Sequence, residues 1–222
     1  MPPPRNATLT VMDRTPPTSA APQIPELPFV VRSYGPEGHW TYADGVLGAR
    51  AGARQDRFVP PGGHALAPSS DAPRLLGTAP EGDFQLSARV TVGFAGDFDA
   101  GVLYVHVGER EWAKLCFERS PGVPTICSVV TRGHSDDANS FTVDGDSVWL
   151  RVSRTGDAFA YHASTDGERW TFVRTFALGS PGDTARALVG FMVQSPVGDG
   201  CPAEFRDLAF HRHAPADLRD GS

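Results

Sequence analysis

The sequence predicts an all-β protein, a β-sandwich or jelly roll of two antiparallel sheets, and three observations carry that prediction. From Asp83 onward, Phe84, Leu86, Ala88, Val90, Val92 and Phe94 fall on one parity, while Gln85, Ser87, Arg89 and Thr91 fall on the other. A period of two over this length gives a strand one buried and one wet face. The pattern recurs down the chain in short segments set apart by turn residues, and no segment shows a helical period. Strands at this spacing make a sandwich or jelly roll rather than a parallel α/β sheet.

In chain order, the first element is a tail. Eight of the twenty prolines lie within the first 28 residues, and Pro16-Pro17-Thr18-Ser19-Ala20-Ala21-Pro22 has the composition of a linker. Residues 1–27 are expected as a Pro-rich flexible tail in which Thr8–Met12 could still pair with a sheet edge; residues 28–213 are expected as the domain and 214–222 as a C-terminal tail. Trp40–Tyr42 and Val46–Ala49 read as short strands joined by an Asp44-Gly45 turn. Residues 51–82 read as one long irregular segment, which in a compact domain serves a function or wraps a face. After the strand at Phe84 come Gly101–Val107, Trp112–Phe117, Ile126–Arg132, Val148–Ser153, Ala158–Ser164, Trp170–Ala177, Ala187–Gln194 and Ala203–His211. Gly108-Glu109, Pro121-Gly122, Asp144-Gly145, Thr155-Gly156 and Asp166-Gly167 separate them, the last supplying the positive φ angles of a tight hairpin turn.

Composition narrows the function. The chain has 222 residues, enough to bury a sizeable core. A net charge of −6 disfavours nucleic-acid binding, which needs basic surface to displace counterions. Lys and Arg are scattered, with no polybasic patch for a membrane surface. The opening Met-Pro-Pro-Pro-Arg leads into no apolar signal run, so a cytoplasmic address is expected. The three cysteines, Cys116, Cys127 and Cys201, are expected as reduced buried thiols. Cys116 and Cys127 lie on consecutive strands, which leaves a disulfide open, whereas no Cys-x-x-Cys spacing supports zinc.

Several blocks carry a resemblance. They are Asp71-Ala72-Pro73-Arg74-Leu75-Leu76, Gly82-Asp83-Phe84, Phe98–Leu103, Trp112-Ala113-Lys114-Leu115-Cys116-Phe117-Glu118, Ser128–Asp137, Ser147–Arg151, Asp166–Trp170, Gly190–Pro196 and Phe205–Leu208. Together, over roughly residues 40–211, they resemble the domain-of-unknown-function family that includes the regulation-of-enolase protein. The resemblance implies the concanavalin A-like lectin/glucanase jelly roll, also found appended to some β-xylosidases, and it implies protein–protein regulation of a metabolic enzyme as one role.

Glucanase chemistry is not expected to accompany that fold. Retaining glycosidases need two carboxylates about 5–5.5 Å apart. Glu109 and Glu111 are the only glutamates at strand spacing, and they sit in a turn. No nucleophile elbow, phosphate loop or dinucleotide fingerprint appears. Asp97, Asp99 and Asp136 leave a calcium cage open as an alternative to ordinary turn acids. No metal or cofactor is expected.

The strand at Trp112 points to a ligand face. Ala113, Leu115 and Phe117 form its core parity, and Trp112, Lys114, Cys116 and Glu118 share the other. His162 on its own strand is expected to join that outer, concave face, with Asp71, Arg132 and Gln194, the last on the polar parity of its own strand, at the rim. An indole covers the C–H surface of a sugar, and charged groups take its hydroxyls. The plainer alternatives are a Lys114–Glu118 pair on a wet sheet and an Arg132–Asp136 loop staple. The sequence thus predicts a non-catalytic binding module for a carbohydrate or similar polar small molecule. An isomerase, cyclase or lyase using Lys114 and Glu118 as an acid/base couple is the alternative from another class.

Overall fold

The computed structural model describes residues 21–63 and 71–222. The expected pairing of Thr8–Met12 lies outside the described residues. Two antiparallel seven-stranded sheets face each other. Sheet A runs in the order β1 (Arg32–Tyr34), β4 (Arg74–Thr78), β13 (Leu188–Gln194), β6 (Ala100–Gly108), β7 (Glu111–Arg119), β8 (Pro124–Arg132) and β9 (His134–Thr142). Sheet B runs β12 (Thr171–Ala177), β11 (Ala158–Ser164), β10 (Ser147–Thr155), β5 (Phe84–Val92), β14 (Pro202–His211), β3 (Val46–Arg50) and β2 (Thr41–Ala43). This is the all-β sandwich of two antiparallel sheets that the alternation predicts.

The core forms where the two inner parities meet. Phe84, Leu86, Ala88 and Val90 of β5 share one buried cluster with Leu103 and Val105 of β6 and with Ala113, Leu115 and Phe117 of β7. Phe191 of β13 and Phe205 of β14 bridge the sheets with ring centroids 4.9 Å apart. Between β13 and β4 the backbones close in at Gly190, where a Cβ would stand 2.1 Å from the Leu75 carbonyl oxygen.

Four elements differ from the sequence reading. Residues 74–78, expected inside an irregular segment, form β4, an interior strand covered on both faces, so its residues do not alternate. His134–Thr142, expected as a polar loop, is the edge strand β9, largely solvated. Arg32–Tyr34 adds β1, and Pro181–Ala185 is one helical turn, α1, closed by a Ser180/Asp183 capping box. Within the segment expected as a tail, Ile24 and Leu27 are buried in the core. Residues 214–222 lie against sheet B, bonded to it through Leu218 and Gly221. All three cysteines are unpaired and buried.

Phe191→Ala removes an inter-sheet anchor that is fully buried, and is expected to lower unfolding free energy by about 3–5 kcal/mol. Urea unfolding reads this directly, and a loss under about 1 kcal/mol would contradict its place in the core.

Candidate functional site

Parity places the site. On β7, Trp112, Lys114, Cys116 and Glu118 point away from the core onto the outer face of sheet A. Tyr104 and His106 of β6 lie opposite Lys114 and Trp112, and Cys127 of β8 lies opposite Cys116. Tyr104 and Trp112 stack at 5.8 Å, giving the face an aromatic layer. Gln194 ends β13 opposite Ala100, which itself pairs with Glu118.

The face is covered. After β3 the chain crosses it as a strap, residues 51–63. At one side Gln55 forms an isolated antiparallel bridge with Ser195, beside β13. At the other side Val59 and Ser135 of β9 exchange bonds, Val59 N–H to Ser135 Oγ at 2.9 Å and Ser135 N–H to Val59 O at 2.8 Å. Between the anchors, Lys114 Nζ donates to Asp56 Oδ1 at 3.2 Å and to Gln194 Oε1 at 2.9 Å. The Arg57 guanidinium lies 5.4 Å from the Trp112 ring, and Arg74 of β4 lies 5.8 Å from the Tyr104 ring. Asp71 accepts from both guanidiniums, bidentately from Arg74. The order from the sheet outward is therefore aromatic rings, then cations, then carboxylates.

The electrostatics follow from burial. Lys114 is 2% exposed. Burial alone would discharge it, but Asp56, Cys116 and Glu118 outweigh that and hold its pKa above the ordinary lysine value. It stays an ammonium and is no general base at neutral pH. Burial pushes Glu118 up to about 7; Lys114 opposes this, while Asp137 and Asp56 add to it. Its carboxylate receives Gln194 Nε2 at 3.3 Å, so Gln194 links it to Lys114. Burial also raises the Cys116 and Cys127 thiols, and Cys127 donates to Asn139 Oδ1 at 3.1 Å. Asp71 is the reverse case: burial opposes its charge, but Arg74 and Arg57 hold it below the usual carboxylate value.

Beside the strap lies a cleft of about 480 Å³, lined in part by Asp56, Arg57, Asp71, Glu109, Arg110 and Trp112. Of the residues expected in the site, Trp112 and Asp71 line this cleft, and Lys114, Gln194 and Glu118 form the buried network alongside. Two do not join them. His162 belongs to β11 of sheet B and is covered by Leu218, so it sits on the opposite face of the sandwich. Arg132 has the other parity, pairs across from Glu111 and donates to the Ala177 carbonyl at 2.8 Å. Asp136 pairs with Arg174 at 3.0 Å rather than with Arg132. Asp99 accepts from the Ala95 and Gly96 N–H groups and from Ser195 Oγ, a buried turn staple. Reading the sequence missed Asp56, Arg57, Arg74 and Arg110. The available signal was Asp56-Arg57-Phe58, two charges and an aromatic inside the long segment.

Glu118 sets a testable pH dependence. Its native pKa of about 7 stands above the ordinary 4.5, so the native state holds a proton that the unfolded chain has lost between those values. Stability from this group is greatest below pH 4.5, falls as pH rises to 7 and is level above. Glu118→Gln is expected to remove that slope, on the order of 1–3 kcal/mol. Urea midpoints of both proteins at pH 4.5 and 7.5 read it, and parallel profiles would contradict a buried, protonated Glu118.

The arrangement has known counterparts. The regulation of enolase protein 1 of Saccharomyces cerevisiae is 27% identical over 139 residues, covering 62% of this chain and 68% of that protein. The crystal structure of a functionally unknown protein from Saccharomyces cerevisiae superposes with a TM-score of 0.69 at 20% identity, over 81% of this chain and 95% of that one. The GH43 protein BlXynB of Bacillus licheniformis gives 0.63 at 10% identity, over 82% of this chain but 37% of that enzyme. At these identities the two structural likenesses are of fold alone, a sandwich of two antiparallel sheets. The model of the family described as protein of unknown function DUF1349 matches residues 34–213, and the chain belongs to that family.

Proposed function

We propose that the chain is a non-catalytic binding module for a polar small molecule, carbohydrate first among the classes, held in the cleft between the strap and sheet A. The observation that carries this reading is the mixed polar and apolar lining of the cleft. Arg57 and Arg110 offer donors, Asp56, Asp71 and Glu109 offer acceptors, and Phe58 and Val59 of the strap supply apolar surface. A polyhydroxylated ligand needs all three. The sheet under Trp112 is rigid, and the Asp56–Lys114 pair fixes the strap above it, so the walls are preorganised. Three buried thiols fit the cytoplasmic address that we assign it.

Lys114–Glu118 acid/base chemistry is the weaker reading, because Lys114 is held charged by Asp56. Regulation of a metabolic enzyme is a second reading, and the name of the Saccharomyces cerevisiae relative favours it. In that case the cleft would accept a protein side chain or loop rather than a free sugar.

Thermal-shift and calorimetric titration with mono- and oligosaccharides, sugar phosphates and enolase tests both. Among the described residues the Arg110 side chain donates to the Gly133 carbonyl alone, so Arg110→Ala is expected to leave the fold intact. It is expected to weaken ligand binding about tenfold, near 1.4 kcal/mol. Binding equal in both proteins would remove the cleft from the function. A complex with enolase and no response to sugars would establish the regulatory reading instead.

A further inference from the structure

The outer face of sheet B holds an arrangement that the cleft does not use. Arg151 of β10 and His162 of β11 are register partners across the ladder, and Ser153 lies on the same face as Arg151. Arg151 is 6% exposed, and Ser153 and His162 are fully buried. Residues 214–222 cover Arg151 and His162. Arg151 Nη2 donates to the Gly221 carbonyl at 2.6 Å, and His162 Nε2 meets the Leu218 carbonyl at 2.8 Å. Because a carbonyl only accepts, His162 Nε2 carries the proton. Arg151 Nε, Ser153 Oγ and His162 Nδ1 are left buried without a partner.

A buried guanidinium with so few partners is costly. Arg154, three residues along β10, shows how this chain holds one for structure alone: it donates to the carbonyls of Pro80, Gly82 and Thr184. Arg151 has one carbonyl and the face of Trp170 at 4.2 Å, and among the described residues no carboxylate lies within ion-pair reach of it. Burial with nothing to offset it lowers its pKa to about 10.

The cover is tight at one residue. Gly221 has φ +73°, and a Cβ there would stand 2.5 Å from Arg151 Nη2 and 3.2 Å from the His162 ring. Only a glycine lets the Gly221 carbonyl reach Arg151. Arg219, lying 4.7 Å from the Phe172 ring, latches the segment.

We propose that Arg151, His162 and Ser153 form a second binding site, for an oxyanion borne by a small carboxylate or phosphate, and that residues 214–222 close it in competition with that ligand. The carbonyls of Leu218 and Gly221 occupy the donors that an anion would take, His162 Nε2–H and Arg151 Nη2, without supplying the charge that Arg151 lacks. Departure of the segment frees those donors beside Arg151 Nε, with the unpartnered Ser153 hydroxyl on the same face. This is independent of the cleft on sheet A.

Nuclear magnetic resonance titration of the full chain with inorganic phosphate, and separately with succinate, tests it. The signals followed are Arg151 Nε–H, the His162 ring nitrogens and the amides of residues 216–221. Either anion is expected to shift the first two while the amides move toward random-coil positions. Gly221→Ala wedges the segment away, with Arg219→Ala added if the single change leaves it docked. Binding in the released protein should be about tenfold tighter, since the open fraction no longer limits it, and Arg151→Gln in that background should abolish it. A response to phosphate alone would define a phosphate site, and a response to both a general oxyanion site. Signals unmoved by both anions once the segment is released, or shifts that survive Arg151→Gln, would overturn the proposal.

Discussion

The outer face of sheet A is organised around one buried ammonium. Lys114 sits mid-strand between Trp112 and Cys116, with Tyr104 and Val129 as its register neighbours. The nearest oxygens come from Gln194, at the end of β13, and from Asp56, on the strap. Leaving either unmade would strand a charge in a low-dielectric layer, which costs several kcal/mol. The strap is therefore a structural requirement of Lys114, and the cleft that Asp56, Arg57 and Phe58 help to line is a consequence. Its two backbone anchors, at Ser195 and Ser135, hold the ends, and the Asp56–Lys114 pair with the bonds of Arg57 to Asp71 and the Glu109 carbonyl fixes the middle.

The same ammonium explains why Glu118 behaves as it does. Gln194 has one amide oxygen and one amide nitrogen; the oxygen goes to Lys114 and the nitrogen to Glu118. Glu118 thus receives a neutral donor rather than the cation itself, while Asp56 neutralises Lys114 at shorter range. Asp56, Glu118 and Asp137 all surround one lysine, and at Glu118 burial adds to the push of Asp137 and Asp56, so that its charged form is the one disfavoured.

What the sequence made legible follows from where alternation survives. Strands buried on one face and wet or polar on the other, β5 and β7 above all, assigned their core residues correctly. Alternation fails where both faces are covered, as in Arg74-Leu75-Leu76-Gly77, and where an edge strand is polar throughout, as in β9. Parity also says which face of its own sheet a residue occupies, never which sheet it belongs to. Trp112 and Lys114 share a strand, so parity joined them securely. His162 was attached to them from another strand with the same logic, and strand order placed it on the far side of the sandwich. Asp56 and Arg57 escaped because a strap has no period; its residues are positioned by what they cover.

Both sheets share a device that the alternation alone conceals. Each carries cations on its outer face, and each is covered there by an irregular segment that follows a strand of sheet B, the strap after β3 and residues 214–222 after β14. The two covers differ in charge. The strap brings Asp56 to Lys114, and Asp71, nearby in sequence, meets Arg74, so the cations of sheet A are matched by full charges. Residues 214–222 bring only the carbonyls of Leu218 and Gly221 to Arg151 and His162. A carbonyl dipole matches a guanidinium well when several converge, as they do around Arg154, and poorly when one stands alone. Cover A is therefore held by attraction specific to its own side chains, whereas cover B leaves a charge in want of an opposite. The difference between the two covers lies in what each face can still bind.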